Sequence, residues 1–193
     1  MAAEVRRLRA VDGLSVREIR ARTGLGRNRV YAARARQHAE AARAVGPLND
    51  RDLLLLGAAV YWREGAKSKP WRRDDHVQFI NSDPGLLAPF LSFLETCGVD
   101  RSVPTYRVSI HETADAAAAT SWWAQRLALP PDRFRRPTLK RHNPVTVRRN
   151  TGADYRGCLV INVPRSRELY WRIEGMIAEL FQKVGGAGPG VGP

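Results

Sequence analysis

Apolar residues follow a helical period and then a strand period in the larger, C-terminal part of the chain. The stretch "DLLLLGAAVYWREG" has the continuous apolar pattern of a buried helix, and Asn49 or Asp50 precedes it as an N-cap. The next block, "HVQFIN", alternates apolar with polar residues. It therefore predicts a strand with one buried face.

A second helix follows this strand directly. Ser82 or Asp83 is placed to cap it, and Pro84 suits its first turn because a helix needs no backbone N–H there. Pro89 lies inside the same apolar run. It predicts either a kink or a later start of the helix.

The remaining pattern predicts a strand, a helix, two strands and a helix. The first strand lies in "TYRVSIH", where apolar and polar residues alternate, and an alanine-rich helix follows. Two more strands are predicted in "RFRRPTLKRHN" and "RGCLVINVP", and "SRELYWRIEGMIAELF" has apolar residues at the spacing of an amphipathic helix. Four tryptophans are expected in the core: Trp62, Trp122, Trp123 and Trp171.

The N-terminal stretch "GLSVREIRARTGLGRNRVYAARA" predicts two short helices joined by a tight turn. One helix begins at Ser15, the turn lies at Gly24, and the next helix begins near Gly26. Their expected contacts, with a preceding helix, are Val5, Leu8, Ile19, Leu25 and Val30. This stretch resembles the helix-turn-helix of bacterial DNA-binding proteins, although Arg20 stands where that family usually has alanine.

The second helix of this motif offers an outward face of the residue types that read DNA bases. Arginine and asparagine bind guanine and adenine edges through two hydrogen bonds in the major groove. The expected DNA-contacting residues here are Arg27, Asn28, Arg29 and Tyr31. The alternative is an arginine-rich helical hairpin whose basic face is simply solvated.

The charge balance favours a polyanionic partner. The chain carries 32 Lys and Arg against 19 Asp and Glu, a formal net charge of +13. Such a field attracts nucleic acid, so we expect double-stranded DNA as the partner and a cytoplasmic, nucleoid-associated location. No stretch predicts a membrane span, and Cys97 and Cys158 lack the spacing of a zinc site or a disulfide framework.

The stretch "GAAVYWREG" resembles the signature helix of the LAGLIDADG homing endonucleases. Ala59 would be the small contact position, Glu64 the terminal acid, and Gly65 the residue that closes the helix. In that family two signature helices pack together and bring their acids to a divalent-metal site. The later element order, and "FINSDP" after the signature, are similar to bacterial variants related to the WhiA regulators, in which such a domain accompanies a helix-turn-helix.

The resemblance implies an α+β fold in two parts. Residues 1–45 would form an all-α helix-turn-helix region, and residues 46–184 a LAGLIDADG-like domain with helices on one face of a mainly antiparallel sheet. Residues 185–193 are expected to be a flexible Gly/Pro tail. Because each chain has one signature helix, the small face of Gly57, Ala58 and Ala59 predicts a homodimer.

The other face of the sheet is expected to bind DNA. The polar residues expected to project from this face are Gln78, His111 and Thr138. Basic residues of the strands and of the loop after the third strand would accompany them. Beyond the recognition helix, the expected DNA contacts are Lys67, Lys69, Arg107, Arg136, Lys140, Arg141, His142, Arg148 and Arg149.

Two functions remain open from the sequence. One is a sequence-specific DNA-binding regulator that needs no cofactor. The other is a Mg²⁺-dependent endonuclease, with Glu64 as metal ligand and Gln78 and Lys140 completing the catalytic set. An acid at a helix C-terminus opposes the helix dipole, and either a metal ion or a local ion-pair cluster with Lys67 and Lys69 would offset it.

Overall fold

The computed structural model describes residues 2–69, 71–140 and 154–184. The chain divides into two compact units, one ending at Leu48 and the other beginning at Asn49. The sequence placed this division three residues earlier, at 45/46. Within the described residues no helix is long and apolar enough to cross a membrane.

The first unit is a bundle of three helices, and local signals determine where they begin and end. They are α1 (Ala2–Ala10), α2 (Val16–Thr23) and α3 (Arg27–Val45). The Ser15 hydroxyl accepts from the Glu18 amide while the Glu18 carboxylate accepts from the Ser15 amide, a capping box that starts α2. Gly24 ends α2 with φ of 68°, the left-handed conformation that glycine adopts without strain.

A small apolar core holds this bundle together, as the sequence predicted. Val5, Leu8, Ile19 and Val30 are buried against one another, and Leu25 is partly buried beside them. Each helix therefore contributes at least one residue to the core.

The second unit contains four α-helices, one short 3₁₀ helix (Pro131–Arg133) and four strands among its described residues. Its helices are α4 (Asp50–Glu64), α5 (Pro84–Thr96), α6 (Ala116–Arg126) and α7 (Arg167–Val184). Its strands are β1 (Val77–Asn81), β2 (Thr105–His111), β3 (Thr138–Lys140) and β4 (Cys158–Val163). This order follows the predicted one, and the fold class is α+β.

The sheet has the strand order β1-β4-β2-β3. β4 pairs antiparallel with both β1 and β2, whereas β3 pairs parallel with β2. The sheet is therefore mainly antiparallel, as expected. The last two predicted strands do not pair with each other, because β4 lies between β1 and β2 and β3 forms an edge.

The helices pack on one face of this sheet. The strand residues of that face are buried: Val77, Phe79, Tyr106, Val108, Ile110, Leu159, Ile161 and Val163. Phe79 stacks on Phe90 of α5 with 4.4 Å between ring centroids, and Tyr61 of α4 stacks on Phe90 at 5.7 Å. Burial of this apolar surface is the main stabilising term of the unit.

The structure shows which residues cap α4 and α5 and where α5 begins relative to Pro89. Asn49 caps α4 in a reciprocal pair with Asp52. Asp83 caps α5 by accepting from the Gly85 amide at 2.7 Å. Helix α5 runs through Pro89 without a later start, so that alternative was wrong.

The small-residue face of α4 is largely occupied within the chain. Gly57 and Ala58 are buried, and a Cβ built on Gly57 would overlap Phe93 of α5. The expectation that this whole face awaits a second copy was wrong, because the missing side chain lets α5 approach α4. Ala59 alone of the three remains exposed.

The tryptophans separate into buried and exposed classes. Trp123 is fully buried and Trp62 and Trp122 pack partly buried against the core. Trp171 is 49% exposed, so its assignment to the core was wrong. Its indole N–H instead donates to Asp75 at 2.8 Å, a polar contact that the apolar pattern of α7 does not reveal.

Candidate nucleic-acid interface

The first turn of α3 presents the predicted base-reading residues to solvent. Arg27, Asn28 and Arg29 are all exposed, and Tyr31 is 42% exposed. The Arg27 guanidinium carbon lies 5.5 Å from the Tyr31 ring centroid, which favours a cation–π contact. Arg20, the departure from the family pattern, is exposed.

Strand register brings several separated polar residues to the sheet face opposite the helices, here termed the open face. Gln78 pairs with Asn162, which also pairs with Thr105. Paired residues share a face and residues two apart along a strand share it too, so Arg107 belongs to the same side. The pairs Ser109–Thr138 and His111–Lys140 extend this face to β3.

Exposure differs along the open face. Arg107, Thr138 and Lys140 are exposed, whereas His111 is only 8% exposed. The His111 ring nitrogen Nδ1 lies 2.8 Å from the Thr113 hydroxyl, which keeps the imidazole within the fold. The cations of this face can reach an anionic ligand, and the buried imidazole cannot.

The other predicted basic contacts fall outside the strands. Arg136 is exposed but precedes β3, so it does not project from a strand as expected. The predicted contacts of the following loop lie outside the described residues: Arg141, His142, Arg148 and Arg149.

Glu64 ends α4 beside the edge of the sheet. Gly65 forms a β-bridge with Phe79, and the Ala66 amide donates to the Gln78 carbonyl at 2.9 Å. These bonds bring the chain at Glu64 next to Gln78. The Glu64 side chain is 37% exposed and lies 3.8 Å from Arg63 Nη1.

Lys140 does not join Glu64 and Gln78. Gln78 lies on β1, at one edge of the sheet, and Lys140 lies on β3, at the other edge. Gln78 aligns through Asn162 of β4 with Thr105 of β2, whereas Lys140 pairs with His111, six residues further along β2. At ~4.8 Å between strands and ~3.3 Å per residue, Gln78 and Lys140 are roughly 25 Å apart. The predicted catalytic trio is therefore not one site within a single chain.

Lys67 stabilises the end of α4. Its ammonium donates to the carbonyl oxygens of Trp62 at 2.7 Å and Gly65 at 3.2 Å. A cation there satisfies carbonyls that the helix leaves unpaired and offsets the negative end of its dipole. Burial lowers the pKa of Lys67, and the nearby Glu64 carboxylate opposes that change. Lys67 thus stabilises the fold through backbone carbonyls, and the ion pair within 4 Å that Glu64 forms is with Arg63 rather than with Lys67 or Lys69.

The residues near Glu64 provide hard oxygen donors of the kind that Mg²⁺ prefers. Of the residues that the resemblance assigns to such a site, Glu64 and Gln78 carry oxygens of this kind. Among the described residues, no three His, Cys, Asp or Glu side chains gather into a metal-binding group. A site of the type implied by the resemblance would need the Glu64 of a second copy.

One exposed feature was missed by the sequence reasoning. Lys69 and Arg72 close a tight turn through two reciprocal backbone hydrogen bonds of 3.3 and 3.0 Å. Trp71 within this turn is 80% exposed, and Lys69 Nζ lies 5.5 Å from its ring centroid. The stretch "KPWR" is the signal that could have revealed the turn, because proline is common in turns and stands here with an aromatic residue between two cations.

Comparison with known proteins adds no identification. No family model, no curated protein and no solved structure matches this chain.

Proposed function

We propose that this protein is a sequence-specific DNA-binding protein of the transcriptional-regulator type. The observation that carries the proposal is the first turn of α3, where Arg27, Asn28 and Arg29 are exposed immediately after the left-handed turn at Gly24. A helix that starts from such a turn and presents these side chains at its N-terminal end suits insertion into the major groove.

The open face supports a second, sequence-independent contact with DNA. Arg107 and Lys140 lie on this face, and the chain has a formal net charge of +13. Lysine and arginine that neutralise phosphates supply affinity that decreases steeply with salt. In this proposal α3 provides base recognition and the sheet provides backbone contacts.

The test compares single alanine variants on a selected duplex and on random duplex. Arg27→Ala, Asn28→Ala and Arg29→Ala should each cost about 1–3 kcal/mol on the selected duplex and clearly less on random DNA. Arg43→Ala is the matched control, since it removes an exposed arginine from the last turn of the same helix. Equal losses on both duplexes would assign the three residues to phosphate contacts and overturn their role in base recognition.

A second candidate function is a Mg²⁺-dependent DNA endonuclease. The half-exposed carboxylate of Glu64, beside Gln78 at the sheet edge, is the observation that favours it. Bound metal would activate water and stabilise the leaving oxygen of a phosphodiester. This chain would supply the Glu64 carboxylate, which the C-terminus of α4 holds in place.

Glu64→Gln separates the two functions because it keeps size and shape while removing the charge. If the protein is a nuclease, wild type should nick plasmid DNA with Mg²⁺ or Mn²⁺, and Glu64→Gln should lose nicking while retaining DNA affinity. Glu168→Gln, an exposed acid in the first turn of α7, is the control. Absence of nicking by wild type under both metals would remove the nuclease candidate.

Homodimerisation remains part of the proposal, on a revised surface. Ala59 and the 41%-exposed Leu56 lie on the outer side of α4. Ala59 also lines a groove of about 670 Å³ between α4 and α7, together with Trp62, Leu180 and others. Sedimentation at micromolar concentration should give a dimer, and Ala59→Arg should give a monomer. A wild-type monomer, both alone and on DNA, would contradict this.

A further inference from the structure

Trp71 exposes an unusually large apolar surface at the tip of a turn. Its side chain is 80% exposed, in contrast to Trp123, which is fully buried. Indole is a large apolar group whose burial is favourable, so a mostly solvated tryptophan is available for a contact outside the chain.

The turn that carries Trp71 is held firmly by its base. The Ser68 amide donates to the Tyr170 hydroxyl at 2.9 Å, and the Ser68 hydroxyl donates to Asp75 at 2.6 Å. Asp75 also accepts from Trp171 at 2.8 Å and from Arg73 at 3.1 Å. These bonds fasten both sides of the turn to α7.

The hydrogen bonds at the base of the turn reduce the entropy that Trp71 would lose on binding a partner. A side chain on a braced turn loses less conformational entropy on binding than one on a loose loop. The bonds of Ser68 and Asp75 therefore present Trp71 in a preorganised position.

The charges around the ring favour an anionic partner. Lys69 and Arg72 flank Trp71 at the two ends of the turn and are exposed. Arg73 differs because it forms ion pairs with Asp75 and Glu174 at 3.1 and 3.5 Å. Two cations beside an apolar ring match a ligand that offers phosphates on either side of a flat aromatic group.

We infer that Trp71 is a wedge that inserts between base steps of double-stranded DNA, with Lys69 and Arg72 on the adjacent phosphates. This rests on the proposed DNA-binding function and adds to it a residue that deforms the duplex. Apolar side chains inserted from the minor groove partly unstack a step and kink the duplex by about 20–90°. The contact is independent of the base reading expected of α3.

The experiment measures affinity and bending of one duplex by the full-length chain. Trp71→Ala should weaken binding by about tenfold and abolish the change in energy transfer between dyes at the duplex ends, since the ring that stacks on a base and unstacks the step is gone. Trp71→Phe should retain most of both signals. Val103→Ala, which trims another exposed apolar residue, should change neither.

Tryptophan emission provides a second readout. The chain has five tryptophans, so the contribution of Trp71 is the difference between wild type and Trp71→Phe. That difference should be quenched when duplex DNA is added. A fold check by circular dichroism accompanies each variant.

The outcomes distinguish this inference from the function on which it rests. If wild type binds no DNA, the proposed function fails. If wild type binds DNA, Trp71→Ala retains affinity and bending, and DNA does not quench the Trp71 emission, the wedge is wrong while DNA binding stands. Dependence on Trp71 with single-stranded DNA alone would also overturn the wedge.

Discussion

Gly57→Ala should destabilise the second unit by filling the closest contact between α4 and α5. A Cβ at Gly57 would lie 2.5 Å from Cδ2 of Phe93 and nearer still to its Cβ and Cγ. Non-bonded carbons prefer ~3.5–4.0 Å, so the added atom requires a displacement of at least ~1 Å. Rotation of the Phe93 ring does not relieve the overlap, because the Phe93 Cβ is fixed to the backbone of α5.

The expected magnitude follows from two opposing effects. Alanine in a helix interior gains about 1 kcal/mol over glycine. Overpacking of a filled core costs about 1–3 kcal/mol and occasionally more, and an overlap with an atom this close to the backbone belongs at the upper end. We therefore expect Gly57→Ala to lower the free energy of unfolding by about 2 kcal/mol.

Urea unfolding followed by tryptophan fluorescence reports on this unit selectively. All five tryptophans follow residue 49, so the first unit contributes no signal. Gly175→Ala is the matched control: it lies in α7, is exposed, and its added Cβ meets nothing within 4 Å. It should stabilise the unit by about 0.5–1 kcal/mol. A neutral or stabilising Gly57→Ala would refute the close packing of α4 on α5.

Three further predictions concern a turn, a helix cap and a hydrogen-bonded carboxylate. Gly24→Ala should destabilise the first unit by about 1–2 kcal/mol, measured by thermal circular dichroism, because φ of 68° strains any residue with a Cβ. Asn49→Ala should lower the stability of the second unit by about 1 kcal/mol in urea, since it removes the cap of α4. Hydrogen bonds from Ser68, Trp171 and Arg73 hold the pKa of Asp75 below its ordinary 3.8. The ionised carboxylate therefore contributes to stability above pH 3.8, and this contribution is lost as the pH falls through the lowered pKa. Asp75→Asn should therefore be less stable than wild type at pH 7 in urea, with a difference that shrinks below pH 4; a constant difference would contradict this.

Local features of the fold were predictable because their causes lie within a few residues. Ser15, Asn49 and Asp83 each cap a helix that begins with the next residue, and the left-handed turn needed Gly24. Alternation in β2 also identified its buried face. These signals act over one turn or one strand and do not depend on distant partners.

Long-range contacts were less predictable. The position of β4 between β1 and β2 depends on pairing between residues more than 80 apart, such as Val77 and Val163. The glycine at 57 signalled a close approach, but a small face does not specify whether α5 or a second chain covers it. Lys140 has the right chemistry for a nuclease, yet strand order places it far from Glu64.

The candidate interface was predictable in composition and only partly in arrangement. The alternation of apolar and polar residues in β2 predicted that Arg107 lies on a polar face. Only the strand register shows that Lys140 of β3 lies on the same face. The stretch "KPWR" signals a turn at Trp71, but the exposure of the ring depends on distant contacts that the sequence does not show. The role of the whole surface in DNA binding stays a prediction.

The ratio of affinities for selected and shuffled duplexes tests the central proposal most directly. A duplex enriched from random sequence by the full-length chain is compared with a shuffled duplex of the same length and composition, at one fixed salt concentration. Sequence-specific binding predicts a dissociation constant at least ~10³-fold lower for the selected duplex. Equal affinities for the two duplexes at that salt concentration would leave only phosphate contacts and would contradict sequence-specific recognition by this protein.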